Sequence, residues 1–217
     1  MEFRVEREYD DVESWQEVIL IYNAALKQIS TKLEILNDEF QRVHKYNPIE
    51  HIKSRIKTSE SIVKKLRRYG YESTIANMVN RVNDIAGIRV ICSFTSDIHR
   101  IADMISRQAD IRILGVKDYL KDPKENGYKS YHMLVSVPVY LSNRIVDTKV
   151  EIQIRTVAMD FWASLEYKIH YKYGESANIP AHIEAELADC AKMVSELDSK
   201  MLLLNNEIQA LEEGGYL

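Results

Sequence analysis

The stretch Lys149-Val150-Glu151-Ile152-Gln153-Ile154-Arg155-Thr156 alternates apolar and polar residues with period two. That is the pattern of a strand with one face in a core. Val150, Ile152 and Ile154 form the core side. Glu151, Gln153 and Arg155 share the other side, ending at Thr156, which suits the cap of a following helix. A row of carboxylate, amide and cation at a helix N-terminus suits a substrate platform with a metal ligand or base. The same alternation also fits the solvated face of a one-sided sheet. The strand is predicted over Ile145 to Arg155, and the helix from Thr156 through Tyr171.

Outward from this stretch, Ile85 to Phe94 reads as a buried strand carrying Gly87 and Arg89. Ser96 to Arg107 reads as an amphipathic helix capped by Thr95 or Ser96, and Ile111 to Val116 as a strand. A further strand over Tyr131 to Val139 joins Ile145 to Arg155 through a turn at Ser142 and Asn143. The expected fold is α/β of the α+β kind, a mixed β-sheet surrounded by helices. Asp84 opens the second strand. A carboxylate there, beside one on a neighbouring strand, suits a hydrated Mg²⁺ that also takes phosphate ligands; alone it fits a turn equally well. By parity Asp84 and Arg89 face oppositely, so either Asp84 lies before the strand or Gly87 makes a bulge.

Two heptad seams flank this centre. Tyr22, Leu26, Ile29, Leu33, Leu36, Phe40 and Val43 form one, ended by Asn47 and Pro48. Ile183, Leu187, Cys190, Val194, Leu197, Met201, Leu204, Ile208 and Leu211 form the other. These seams either pack on the central domain or on each other, or build an oligomer, and helix length favours the oligomer. Between them, Arg55, Lys57, Lys64, Lys65, Arg67 and Arg68 make a cationic segment with Thr58 or Ser59 as cap and Gly70 as stop. Such a run suits a triphosphate and equally suits a solvated helix face. The loop from Lys117 to Ser130 adds Lys124, Gly127, which lets backbone come close to a ligand, and Tyr128, whose ring can stack on a base. Asn126-Gly127 also fits a simple turn with Tyr128 packed on the next strand, and His132 in that strand carries no assigned proton-transfer role.

With 217 residues, 46% of them hydrophobic, the chain is sized for one domain with extensions. A net charge of −4 excludes a protein whose main business is coating nucleic acid. Cys92 lies in an apolar run and Cys190 in a helical one, with no CxxC, so both are expected as ordinary buried or half-buried thiols. Met1 to Asp11 is charged and mostly acidic, unlike a signal peptide, and no apolar run approaches the ~18 residues of a membrane span. A soluble cytoplasmic protein is expected.

Four blocks, in order, carry a resemblance to a known family. They are Arg55-Ile56-Lys57 with Ser61-Ile62 and Lys65; Asp84-Ile85-Ala86-Gly87-Ile88-Arg89; Lys117-Asp118-Tyr119 through Pro123-Lys124, Asn126-Gly127-Tyr128 and Ser130; and Glu151 through Thr156. Over about residues 47 to 172 the chain resembles the synthetase domain of RelA/SpoT-type GTP pyrophosphokinases, specifically the short, single-domain small alarmone synthetases. The resemblance implies a nucleotidyltransferase-like synthetase domain over 47–175, an N-terminal helical extension over 1–46 and a C-terminal oligomerisation helix over 176–217. It implies transfer of the β,γ-pyrophosphoryl group of ATP to the 3′-hydroxyl of GDP or GTP, making ppGpp or pppGpp plus AMP in the stringent response.

By the same resemblance, Asp84 and Glu151 hold Mg²⁺, and Glu151 activates the 3′-hydroxyl. Arg55 and Arg89 sandwich adenine, while Lys57, Ser61, Lys65 and Arg68 hold the ATP phosphates. Tyr128 stacks on guanine, Lys124 and Gln153 line the acceptor site, His132 lies near the acceptor phosphates, and Asp160 meets the guanine N1 proton and 2-amino group. A homotetramer built through the terminal helices is implied. The chain length and the absence of any His-Asp dipeptide lead to an expectation of synthesis without hydrolysis. Two alternatives compete: another Mg²⁺-dependent nucleotidyltransferase that releases pyrophosphate, or a non-catalytic nucleotide- or RNA-binding oligomer.

Overall fold

The structure, a computed structural model, describes residues 14–173 and 179–213. The signal-peptide reading of Met1 to Asp11 and the domain boundary between 175 and 176 fall outside the described residues. In chain order the elements are α1 Trp15–Val43, β1 Ile49–Ile56, α2 Ser59–Arg68, α3 Ile75–Arg81, β2 Ala86–Cys92, α4 Thr95–Ser106, β3 Arg112–Asp118, β4 Tyr131–Tyr140, β5 Ile145–Thr156, α5 Val157–Tyr173 and α6 Ala181–Glu213. The strands form a mixed sheet in the order β1-β2-β5-β4-β3, as the α/β expectation requires. Among the described residues only the central β2–β5 pair is parallel; the other neighbours run antiparallel.

Alternation along the strands gives the sheet its core face. Ile88 and Val90 of β2, Met133, Val135 and Val137 of β4, and Val150, Ile152 and Ile154 of β5 are all buried in one cluster. Val18, Ile21, Tyr22, Leu26, Ile29 and Leu33 of α1 cover them together with Ile98, Ile101 and Ile105 of α4. Each such side chain contributes about 1.5–3 kcal/mol relative to exposure. For the first seam, then, packing on the sheet is the alternative realised. The second seam differs: Leu197, Met201, Leu204, Ile208 and Leu211 of α6 are exposed. Among the described residues no helix is long and apolar enough to cross a membrane.

Several local expectations are corrected. α1 ends at Val43, ahead of Asn47-Pro48, because His44 is already extended, and Asn47 instead folds its side chain onto the Ile49 N–H at 3.0 Å. β1 and α3 were not foreseen. Ile49, Ile52 and Ile56 recur at steps of three and four, a helical spacing that the strand accommodates through a register shift between Ile49 and His51. Of the two cap candidates for α2 it is Thr58 that serves, as one of the expected alternatives, with its oxygen accepting from Ser61 N. Neither Thr95 nor Ser96 caps α4; Phe94 holds that position, and the Asp97 carboxylate accepts its N–H at 3.1 Å. Cys92 is buried as expected, but Cys190 is exposed, because the face of α6 that packs inward carries Leu187, Ala191 and Val194.

Replacing Ile29, 1% exposed in the core, by Ala is expected to cost about 2–4 kcal/mol of unfolding free energy in a urea titration. Leu20→Ala on the same helix, at a side chain 57% exposed, should stay within about 0.5 kcal/mol.

Candidate active site

Sheet register places one residue from each strand in a single row on the face opposite the core: Lys53, Arg89, Gln153, His132 and Lys117. The adjacent row runs Arg55, Gly87 and Glu151. Gly87 thus stands between a guanidinium and a carboxylate with no side chain of its own. A Cβ built there would meet nothing nearer than Arg55 Cγ at 3.9 Å, so the space above it is open. That space is a cavity of about 220 Å³, lined chiefly by Lys53, Arg55, Asp84, Arg89, Glu151 and Gln153.

Asp84 lies just before β2, the first of the two alternatives, and β2 carries no bulge at Gly87. Its carboxylate receives Lys57 Nζ at 2.6 Å and Lys65 Nζ at 2.8 Å. Lys57 reaches it because its backbone N–H bonds Ile85 O at 2.8 Å, continuing the β1–β2 ladder. Lys65 reaches it from α2, where Ser61, Lys65 and Arg68 share one face at steps of four and three. Burial alone would raise the Asp84 carboxyl, but the two ammonium groups hold it below the ordinary value. Arg68, beyond them, donates to the Tyr69 hydroxyl at 3.2 Å.

Glu151 behaves similarly. Burial pushes its carboxyl up, while His132 and the hydrogen bond from Gln153 Nε2 at 2.8 Å bring it below the ordinary range. His132 Nδ1 lies 3.7 Å from Glu151 Oε1, an electrostatic separation longer than a hydrogen bond. Glu151 is therefore ionised at neutral pH, the state a metal ligand or base needs. Asp84 and Glu151 give two hard oxygen donors on one cavity wall, a set that fits Mg²⁺ completed by phosphate and water. Among the described residues no group of three or more His, Cys, Asp or Glu forms a self-sufficient metal site.

The second half of the site centres on Tyr128. Its hydroxyl pairs with His132 Nε2 at 2.8 Å and accepts a short hydrogen bond from Arg155. Lys124 Nζ sits 4.7 Å from the ring centroid and the Arg155 guanidinium 5.0 Å from it. Arg155 is buried, and its remaining donors go to Gln153 Oε1, Ser130 Oγ and Asp160 Oδ1. Asp160, 7% exposed in the first turn of α5, also takes Arg89 NH1 at 3.0 Å on the same oxygen. A polar network therefore runs from Glu151 through Gln153, Arg155 and Asp160 to Arg89. The Asn126-Gly127 turn is real, closed by Gly127 N to Lys124 O at 2.8 Å. Its glycine brings the backbone close to Ala191 of α6, where a ligand had been expected.

The structure joins Asp84, Lys57, Lys65, Arg55, Arg89, Glu151 and Gln153 around one cavity and its rim, and groups Lys124, Tyr128 and His132 beside it. Ser61 and Arg68 stand on the outer part of α2. Sequence reasoning missed Lys53, whose strand was unread, and Lys149, which shares the Glu151 face yet is 1% exposed. Lys149 Nζ donates to Asn83 Oδ1 at 2.9 Å and Asn80 O at 3.4 Å, beneath the turn that presents Asp84. The period-two pattern through Lys149 to Arg155 was the signal that could have found it.

The model for the region found in RelA / SpoT proteins matches residues 54–176. The chain is 47% identical over 197 residues to GTP pyrophosphokinase YwaC of Bacillus subtilis, covering 91% of this chain and 93% of that protein. The crystal structure of small alarmone synthetase 2 from Bacillus subtilis superposes with TM-score 0.81 at 46% identity, covering 90% of this chain and all of that one (100%). Small alarmone synthetase 1 from the same organism, bound to its product pppGpp, gives TM-score 0.83 at 33% identity, covering 90% and 98%. Bound to AMPCPP, that synthetase gives 0.78 at 31%, with the same coverage.

Burial without a carboxylate partner lowers Lys149 from 10.5 to about 8. The unfolded chain therefore holds that proton more tightly, and stability rises with pH through this group between about 8 and 10.5. Lys149→Met should flatten that rise, measured as denaturant-unfolding free energy at a series of pH values.

Proposed function

The chain belongs to the RelA/SpoT family, and from that membership we propose that it is a GTP pyrophosphokinase making ppGpp or pppGpp from ATP and GDP or GTP in the stringent response. The observation that carries this reading is the single sheet face that sets Asp84 and Glu151 on one cavity, with phosphate-binding cations on one side and Tyr128 on the other. In this reading Arg55 and Arg89 hold adenine between them, and Lys57, Ser61, Lys65 and Arg68 face the ATP phosphates. Lys124, Tyr128, His132 and Gln153 take the acceptor, with guanine stacked on Tyr128. Asp160 Oδ2, approached by Lys53 at 3.8 Å, meets the guanine N1 proton and 2-amino group.

Phosphoryl-type transfer asks for in-line positioning and charge neutralisation more than covalent chemistry. The acceptor 3′-oxygen forms a bond to the β-phosphorus of ATP. The bond from that phosphorus to the oxygen bridging it to the α-phosphorus breaks, and AMP leaves. Glu151, ionised and within reach of His132, takes the 3′-hydroxyl proton. Asp84 and Glu151 would hold Mg²⁺, which when bound would supply neutralisation of the phosphate charge. Lys57 and Lys65, which share Asp84, turn their remaining donors to the phosphates. The enzyme is cytoplasmic, where these nucleotides are, and assembles as a homotetramer, a reading supported by the exposed apolar seam of α6.

Purified protein incubated with Mg²⁺, ATP and GDP or GTP should yield AMP and a more highly phosphorylated guanosine nucleotide on anion-exchange chromatography. Glu151→Ala should abolish this product, and pyrophosphate release would assign a different reaction. Asp160→Ala should lower the preference for GDP over ADP by about tenfold or more, a loss of roughly 1.4 kcal/mol of discrimination. An unchanged preference removes Asp160 from guanine recognition.

A further inference from the structure

The acceptor loop and the β5–α5 junction are both held by one element, α6. Gly127 takes φ +83°, and a Cβ there would lie 2.6 Å from Ala191 Cβ, so the loop backbone rests directly on the helix. Two residues on, Lys129 Nζ donates to Ser195 Oγ at 2.6 Å. At the junction, Thr156 donates to Asp198 Oδ2 at 2.7 Å while accepting from Met159 N at 3.1 Å, so the residue that caps α5 is itself pinned. Trp162 Nε1 donates to Leu187 O at 3.0 Å. Leu187, Ala191, Ser195 and Asp198 recur at steps of four, four and three, one stripe along the helix.

This stripe has features that outer-surface packing does not require. Asp198 is 8% exposed, and its carboxylate spends its hydrogen bond on Thr156, next in sequence to Arg155. Trp162, Ala163 and Ala191 form a small buried apolar cluster separate from the main core, and Tyr128 and Val194 pack against it, so the Tyr128 side chain rests on a cluster to which α6 contributes. The donor-side residues stand elsewhere, on β1, α2 and β2, whereas α6 packs on α5 and α4.

Resting on the activity assigned above, we propose that this stripe of α6 is a positioning surface for the acceptor nucleotide. Ala191, Ser195 and Asp198 set the backbone on either side of Tyr128 and Arg155, and α6 thereby governs the affinity for GDP and GTP while leaving that for ATP alone. The ligand class concerned is a guanosine di- or triphosphate, read through a helix that does not touch it.

Steady-state kinetics and calorimetry with GTP alone on Ala191→Leu and Ser195→Ala test this. The expected result is an acceptor KM and GTP Kd raised about tenfold, about 1.4 kcal/mol, with the ATP KM within about twofold. Ser195→Thr, which keeps the hydroxyl, should restore both values, and Lys192→Ala on the exposed side of α6 should change neither. Thermal unfolding and light scattering report whether each variant keeps its fold and mass. Folded variants with unchanged acceptor affinity, or with ATP and acceptor constants shifted together, overturn the proposal. Calorimetry with GTP decides it independently of product formation, so a failure of the synthetase reading is seen separately in the wild-type product assay.

Discussion

The parallel pairing of β2 with β5 is the constraint on which the site depends. It sets Gly87 beside Glu151 and Arg89 beside Gln153, and so brings a carboxylate-bearing strand against the strand that Asp84 introduces. A slip of one residue would turn Glu151, Gln153 and Arg155 into the core and Ile152 and Ile154 out of it. The buried alternation on both strands therefore secures the register, and with it the spacing of the polar groups on the other face. Core packing by α1 and α4 and the geometry of the cavity are two consequences of one pairing.

Charge is the second organising quantity. The site gathers Arg55, Lys57, Lys65, Arg89 and Arg155 against only a few carboxylates, in a chain whose formal charge is −4. Two of the carboxylates are shared, Asp84 between two lysines and Asp160 between two arginines. At Asp84 burial pushes the carboxyl up, and the two lysines outweigh it and hold the group below its ordinary value; the surplus of cations leaves donors over for an anionic ligand. Lys149 lies below this surface with neutral oxygen partners, and its lowered basicity is the cost of holding the Asn83 turn from within the fold.

Legibility in the sequence tracked how local each determinant is. β5 and β4 were readable because apolar residues alternate along them, and β2 because it is a short apolar run, its end buried on both sides. β1 was not, since the shift at Ile49/His51 replaces alternation with a helical spacing, and α3 is a seven-residue helix too short to show a period. The catalytic and binding candidates on the readable strands came together as expected, helped by a family resemblance that tied blocks far apart in the chain. Lys53 was hidden with its strand. The role of Gly127 was misread because a positive-φ glycine looks the same in sequence whether a ligand or a helix approaches it.

By itself the sequence determined the mixed α/β class, the polar face of β5, the two long helices and the blocks that identify the family, because hydrophobic period, turn chemistry and motif order are local properties. Tertiary structure alone decided that the α1 seam is buried on the sheet while the distal α6 seam stays exposed, though both show the same heptad spacing. It also decided that Asp160 is held by Arg89 and Arg155, and that α6 supports the loop around Tyr128. Apart from Arg155 and Asp160, five residues apart, those outcomes depend on pairs distant in the chain, such as Trp162 and Leu187 at 25 and Arg89 and Asp160 at 71, which no short window of sequence contains together.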